Sequence, residues 1–96
     1  MRRLVLSAGS IRELRRFRLR HSDLNDRLDR VLIQLQEDMY HPSLRAHKLQ
    51  GDLRYLWACS VTHEYRLLFE LIANLDSEDN EEDIHLIATG SHDEIY

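Results

Sequence analysis

The chain has 96 residues, 43% of them hydrophobic and 31% charged, with a formal net charge of −4. That length and composition fit one soluble globular domain over residues 1–96; no apolar run approaches the roughly 20 residues of a membrane helix, and Leu4-Val5-Leu6 after Met1-Arg2-Arg3 is too short for a signal peptide. A single cysteine, Cys59, excludes an internal disulfide, so the expected location is the cytoplasm, with no membrane partner.

Arg3–Ser7 reads as a short strand, Ala8-Gly9-Ser10 as a turn, and Ser10 with Glu13 as a capping box opening a helix to about Arg20. Ile11, Leu14 and Phe17 share one face of it. Arg12, Arg15, Arg16, Arg18 and Arg20 cover the rest, as a solvated face or a phosphate-binding stripe. Ser22 or Asp23 is placed to cap a second helix. Its apolar positions Leu24, Leu28, Val31, Leu32, Leu35 and Met39 follow the helical period, with Pro42 expected to stop it. Residues 43–51 read as a polar connector ending in a Gly51-Asp52 turn. Leu53, Tyr55, Trp57, Cys59 and Val61 then alternate along a strand over 53–61 with a buried face. After a Thr62-His63-Glu64 turn, residues 65–73 form a nearly continuous apolar strand. Asp76–Asp83 holds six acids and reads as a solvated loop, and Ile84–Thr89 is the last strand, broken by Gly90. The order β-α-α-β-β-β predicts an α+β fold, with an N-terminal strand and a helical hairpin packed on an antiparallel meander.

The net charge hides a division. Residues 1–66 hold all 13 Lys and Arg against 8 acids, a balance of +5; residues 67–96 hold 9 acids and neither Lys nor Arg, a balance of −9. The mean charge argues against nucleic acid as a partner, while the distribution leaves room for a basic face.

Chemistry gathers at the strand ends. The strand reading puts His92 at the exit of the last strand, where an imidazole titrates near neutral pH and can give or take a proton. Antiparallel order brings Glu64, Arg66 and His92 to one edge; His47-Lys48 lies nearer the start of strand 53–61. Two imidazoles, a carboxylate and cations suit attack of an RNA 2′-hydroxyl on its own adjacent phosphate. That reaction needs a base, an acid and a cation for the developing charge. It calls for neither metal nor cofactor, because the nucleophile belongs to the substrate. Tyr65 or Tyr96 is placed to stack a base, and Lys48 and Arg66 are the candidate phosphate contacts. The alternatives are ordinary surface roles, with Arg66 paired to Glu70 on its own strand. Tyr55, Trp57 and Cys59 read as core. His41, His47, His63 and His92 lack the close spacing of a zinc site.

The segments His47-x-Leu49-Gln50-Gly51, Glu64-Tyr65-Arg66-Leu67-Leu68-Phe69 and Thr89-Gly90-Ser91-His92, closing on an aromatic C-terminus, resemble the RelE/ParE superfamily of toxins. They are most similar to its YafQ-like branch of ribosome-dependent mRNA interferases. The resemblance spans about residues 44–96 in motif and the whole chain in element order. It implies that His47 and His92 are catalytic histidines, that Glu64 is the catalytic acidic residue, and that Arg66 contacts phosphate. Tyr65 and Tyr96 match aromatic positions. It further implies cleavage of mRNA on the ribosome and neutralisation by a cognate antitoxin. ParE-like members of the superfamily inhibit DNA gyrase instead, and a toxin fold kept as a binding partner without activity is a third reading.

Overall fold

In the computed structural model, which describes residues 1–95, strand β1 (Leu4–Leu6) leads into helix α1 (Ala8–Arg20). The cap is Ser7. Its hydroxyl accepts the Ser10 N–H at 3.1 Å, and Ser10 Oγ accepts the Ser7 N–H at 2.8 Å. Two serines thus make the reciprocal bonds of a capping box, and the helix takes in the expected Ala8–Ser10 turn, starting ahead of the expected Ser10–Glu13 box. Glu13 reaches the sheet instead, where its carboxylate accepts the Thr89 N–H at 3.4 Å. Leu14 and Phe17 are buried; Ile11, expected beside them, is 42% exposed.

Ser22 and Asp23 do not cap the second helix. They lie in a 3-10 turn, Ser22–Leu24, that precedes α2 (Asn25–Glu37). The apolar period is borne out: Leu28, Leu32, Leu35 and Met39 are buried, with Leu24 and Val31 packed against them. The helix ends at Glu37, short of Pro42. Asp38 is extended and its carboxylate accepts the Tyr40 N–H at 3.0 Å, so the chain has turned before the proline acts. Pro42 opens a 3-10 turn, Pro42–Leu44.

The sheet has five strands in the order β1-β5-β4-β3-β2, with β2 at His47–Lys48, β3 at Trp57–Ser60, β4 at Tyr65–Ile72 and β5 at Asp83–Ser91. The expected meander is present as β3-β4-β5. It is extended at both edges: β1 joins β5 in parallel, and His47–Lys48, expected within a connector, pairs antiparallel with β3. Strand 53–61 is shorter than expected. Gly51, at φ +70°, opens a 3-10 turn over Gly51–Leu53, and Tyr55 beyond it is 60% exposed rather than core. Gly90 does not break β5. A Cβ there would lie 3.2 Å from Ile95 Cγ2, so glycine lets the short helix α3 (His92–Ile95) close onto the strand.

Between Leu68 and Phe69 the β4–β5 register shifts: Leu68 faces Ala88 but Phe69 faces Leu86, leaving Ile87 as the extra residue of a bulge. Phe69, Leu67, Ile84 and Leu86 lie beneath the helices with Leu28 and Leu35. The other face carries a smaller apolar floor of Leu56, Ala58 and Leu68, packed by Leu49, Ala88 and Ile95. Cys59 lies on the helix side, and burial pushes its thiol up to about 12, which removes it from nucleophilic chemistry at neutral pH.

Asp83, expected in the solvated loop, is buried at the head of β5. It accepts Arg3 Nη2 at 2.7 Å, Arg3 Nε at 3.1 Å and Asn74 Nδ2 at 3.0 Å. The Arg3 hydrogen bonds hold its carboxyl below the usual range. A depressed carboxylate stabilises the fold above its unfolded pKa, and that contribution is lost as pH falls through the folded value. Asp83→Asn is therefore expected to lower Tm at neutral pH, with the two proteins converging as the pH falls through the lowered Asp83 pKa. Parallel Tm curves across that range would exclude this role.

Candidate active site

Directly opposed residues in an antiparallel ladder share a face. Ser60 faces Arg66 and Arg66 faces Gly90, so these three form one row across β3, β4 and β5. Ala58 and Leu68, in the next row, belong to the apolar floor, which places the Ser60–Arg66–Gly90 row on the open face. Arg66 Nη1 donates to Ser60 Oγ at 2.8 Å. The alternative Arg66–Glu70 pair does not form; Glu70 instead meets His85 Nδ1 across the ladder at 2.8 Å.

His47 stands opposite Ala58 and so shares the open face. From strand spacing its Cα is roughly 12 Å from that of Arg66, two strands over and two residues along. Its Nδ1 lies 2.9 Å from the Arg45 carbonyl oxygen. A carbonyl only accepts, so Nδ1 carries the proton and the neutral ring offers Nε2 as a base. Arg45 is held at φ +51°, a left-handed conformation that costs a non-glycine residue roughly 1 kcal/mol. The strained residue is the one that orients the imidazole.

His92 opens α3 directly after β5. The register Tyr65 opposite Ser91 leaves Glu64 and His92 as the next residues on neighbouring segments, so both sit at one edge. His92 is exposed, with Nδ1 3.7 Å from Asp93 Oδ1. Its turn is built by a second capping box, Ser91-His92-Asp93-Glu94, whose pattern is legible in the sequence and was not among the expected features. The Ser91 N–H donates to Glu94 Oε1 at 3.0 Å, and Ser91 Oγ accepts the Glu94 N–H at 3.3 Å. The Ser91 N–H, then its hydroxyl, then the charges of Arg20 and His21 hold the Glu94 carboxyl below its ordinary range.

The remaining expected residues lie elsewhere. Lys48 stands opposite Trp57, on the helix side and away from His47 and Arg66. Tyr65 also points to the helix side, its ring 5.3 Å from Phe17 and 4.4 Å from His21. Tyr96 lies outside the described residues. The open face thus gathers Ser60, Arg66 and Gly90 in one row, with Glu64 and His92 at its edge. His47 is on the same face but two strands from Arg66.

The Ser91–Glu94 box yields a test. Glu94→Gln keeps an acceptor for the Ser91 N–H; Glu94→Ala removes it. At neutral pH, amide exchange at Ser91 is expected to match wild type in the Gln variant and to accelerate in the Ala variant. As pH falls through the lowered Glu94 pKa, the protonated carboxyl keeps a carbonyl acceptor as the Gln amide does, so wild type is expected to stay with the Gln variant. An Ala variant with wild-type protection would show that the box does not hold the turn.

No family model matches the sequence, and no curated protein matches it. Solved structures do. The YoeB/ParE toxin from Agrobacterium tumefaciens superposes with a TM-score of 0.73 at 14% identity, covering 94% of this chain and 98% of that one. A metal-bound toxin from Helicobacter pylori gives 0.73 at 23%, covering 100% of both. A chain of the E. coli DinJ-YafQ toxin-antitoxin complex gives 0.72 at 18%, covering 99% of this chain and 97% of that one. What these likenesses share with the chain is its fold.

Proposed function

We propose that this chain, which has the RelE/ParE-superfamily toxin fold, is the toxin of a toxin–antitoxin pair and an endoribonuclease acting on ribosome-bound mRNA. The observation that carries the reading is Arg66, set between Ser60 and Gly90 in the middle of the open sheet face. An RNA strand laid across β2 to β5 would pass His47, then Arg66, then His92. His47 Nε2 takes the 2′-hydroxyl proton as the O2′–P bond forms. Arg66 holds the phosphate oxygens while charge builds on them. The P–O5′ bond breaks and His92 protonates the departing O5′, leaving a 2′,3′-cyclic phosphate and a 5′-hydroxyl. Glu64, at the same sheet edge as His92, is the acidic residue assigned to orient the transfer.

The antitoxin partner is supported by the toxin-antitoxin complex among the structural likenesses. The ribosome and mRNA are supported by the motifs at 47–51, 64–69 and 89–92. The competing reading, a ParE-like gyrase inhibitor on the same fold, leaves His47 and His92 without a task.

The test is mRNA integrity after induced expression, mapped to the nucleotide. Wild type is expected to give cuts in frame with translation. His92→Ala and His47→Ala should each reduce cleavage by about 10²- to 10⁴-fold, the usual worth of a general acid or base. Folded variants that cut like wild type would remove these histidines from the mechanism. Intact mRNA with trapped gyrase–DNA complexes would replace the nuclease by the gyrase reading, and intact mRNA with normal growth would leave a toxin fold without the activity.

A further inference from the structure

On the helix side of the sheet, away from the open face, a cavity of about 250 Å³ is lined by Tyr40, Lys48, Tyr55, Trp57, Leu71 and Glu82. Three of the chain's seven aromatic residues meet there. Trp57 is firmly seated: its ring stacks on the buried Phe69 ring at 6.3 Å and 16°, and the Tyr40 ring meets it edge-on at 6.2 Å. Tyr40 and Tyr55 are 64% and 60% exposed, so two large rings stand open at the mouth. Glu82 supplies a carboxylate. Its backbone is fixed by Arg2, which donates to the Glu82 carbonyl at 3.1 Å, and by Asp83 beside it. Among the described residues its side chain has no ion-pair partner.

We infer that this cavity is an aromatic cage for a cationic side chain, the guanidinium of an arginine on a partner protein. Ring faces attract cations through their quadrupole, and arginine also stacks flat on aromatic rings. The carboxylate at the lip adds direct charge complementarity. Glu82 also belongs to an acidic run that includes Asp76, Glu78 and Asp79. Lys48, in the wall opposite Trp57, opposes a cation and would favour an anion. Lys48 and Glu82 therefore separate an arginine from the other occupant that aromatic rings commonly take, a stacked single-stranded nucleotide, because each variant shifts the two ligands in opposite directions. The inference does not depend on RNA cleavage; the nuclease reading can fail while the cage stands.

Trp57 is the only tryptophan, so selectively excited tryptophan emission comes from this cavity's wall. The full chain is titrated with a capped tri-arginine peptide and, separately, with a uridine hexanucleotide. The peptide is expected to change Trp57 emission saturably. Glu82→Gln and Tyr40→Ala, both at exposed side chains, should each weaken it by about 2- to 5-fold, in line with an exposed cation–π contact, and Lys48→Met should tighten it. Three results would overturn the inference. The peptide leaves Trp57 emission unchanged. Its affinity is unaltered by both Glu82→Gln and Tyr40→Ala, which would mean simple attraction to the acidic loop. The hexanucleotide alone binds, weakened by Lys48→Met and strengthened by Glu82→Gln, which would make the cavity a nucleotide-stacking site.

Discussion

The bulge between Leu68 and Phe69 decides which side chains face which side of the molecule. Along β5, Leu86 lies opposite Phe69 under the helices, and Ala88 lies opposite Leu68 on the open face. These residues are two apart and would share a face in a regular strand. The extra residue, Ile87, reverses the alternation. In a regular ladder with Ile87 paired to Leu68, Thr89 would stand beside Arg66 and Gly90 would turn to the helix side. A one-residue slip flips every following side chain, so the bulge sets both where Gly90 meets Arg66 and where the turn carrying His92 begins.

Two faces of different character follow. The helix side is a continuous apolar core in which Phe69, Leu28, Leu35, Ile84 and Leu86 are fully buried. The open side buries three residues of its own, Leu56, Ala58 and Leu68, under side chains from Leu49 and α3. A half-buried surface of this kind tolerates polar groups only when they are paired. Here they are: Arg66 with Ser60, and Glu70 with His85. Both pairs leave polar atoms facing outward, Ser60 and Arg66 beside Gly90 and the His85 ring further along. The face therefore carries paired polar groups on an apolar floor, which suits the proposed role of orienting a charged substrate.

Much of this was legible in the residues. The spacing Leu28, Leu32, Leu35, Met39 identifies α2 because helix–sheet burial enforces that period, and the run from Tyr65 to Ile72 announces a central strand because both its faces are covered. The motif segments also pointed to the fold the chain has. What escaped depends on partners distant in sequence. Ser7 displaced Ser10 as the cap because two serines satisfied each other while Glu13 found Thr89, 76 residues away. Parallel pairing of β1 with β5 rests on three residues whose sequence is equally compatible with a free edge. The bulge has no local signature in Ile84–Gly90, since either register buries apolar side chains. At the site, the face holding His47 was unreadable, because a two-residue strand shows no alternation. The Ser91–Glu94 box, by contrast, was present in the sequence and masked by the glycine before it.

The division of charge bears on whether an acidic chain can hold RNA on this face. Residues 76–82 lie beyond the end where Ile72 faces Asp83, whereas Arg66, facing Gly90, is six residues away along the unbulged β4. At about 3.3 Å per residue that is roughly 20 Å. The Debye length at physiological ionic strength is about 8 Å, so the loop's charge is screened over about two and a half such lengths before it reaches Arg66. Part of that charge is also neutralised where it stands, by the Met1 amine at Glu81 and Arg3 at Asp83. Acids near the site include Glu13, Glu64, Asp93 and Glu94, of which Glu94 is engaged by the Ser91 N–H and Glu13 by the Thr89 N–H. A net charge of −4 is thus compatible with a phosphate at Arg66, because the acids that set the sign lie at the far end of the sheet.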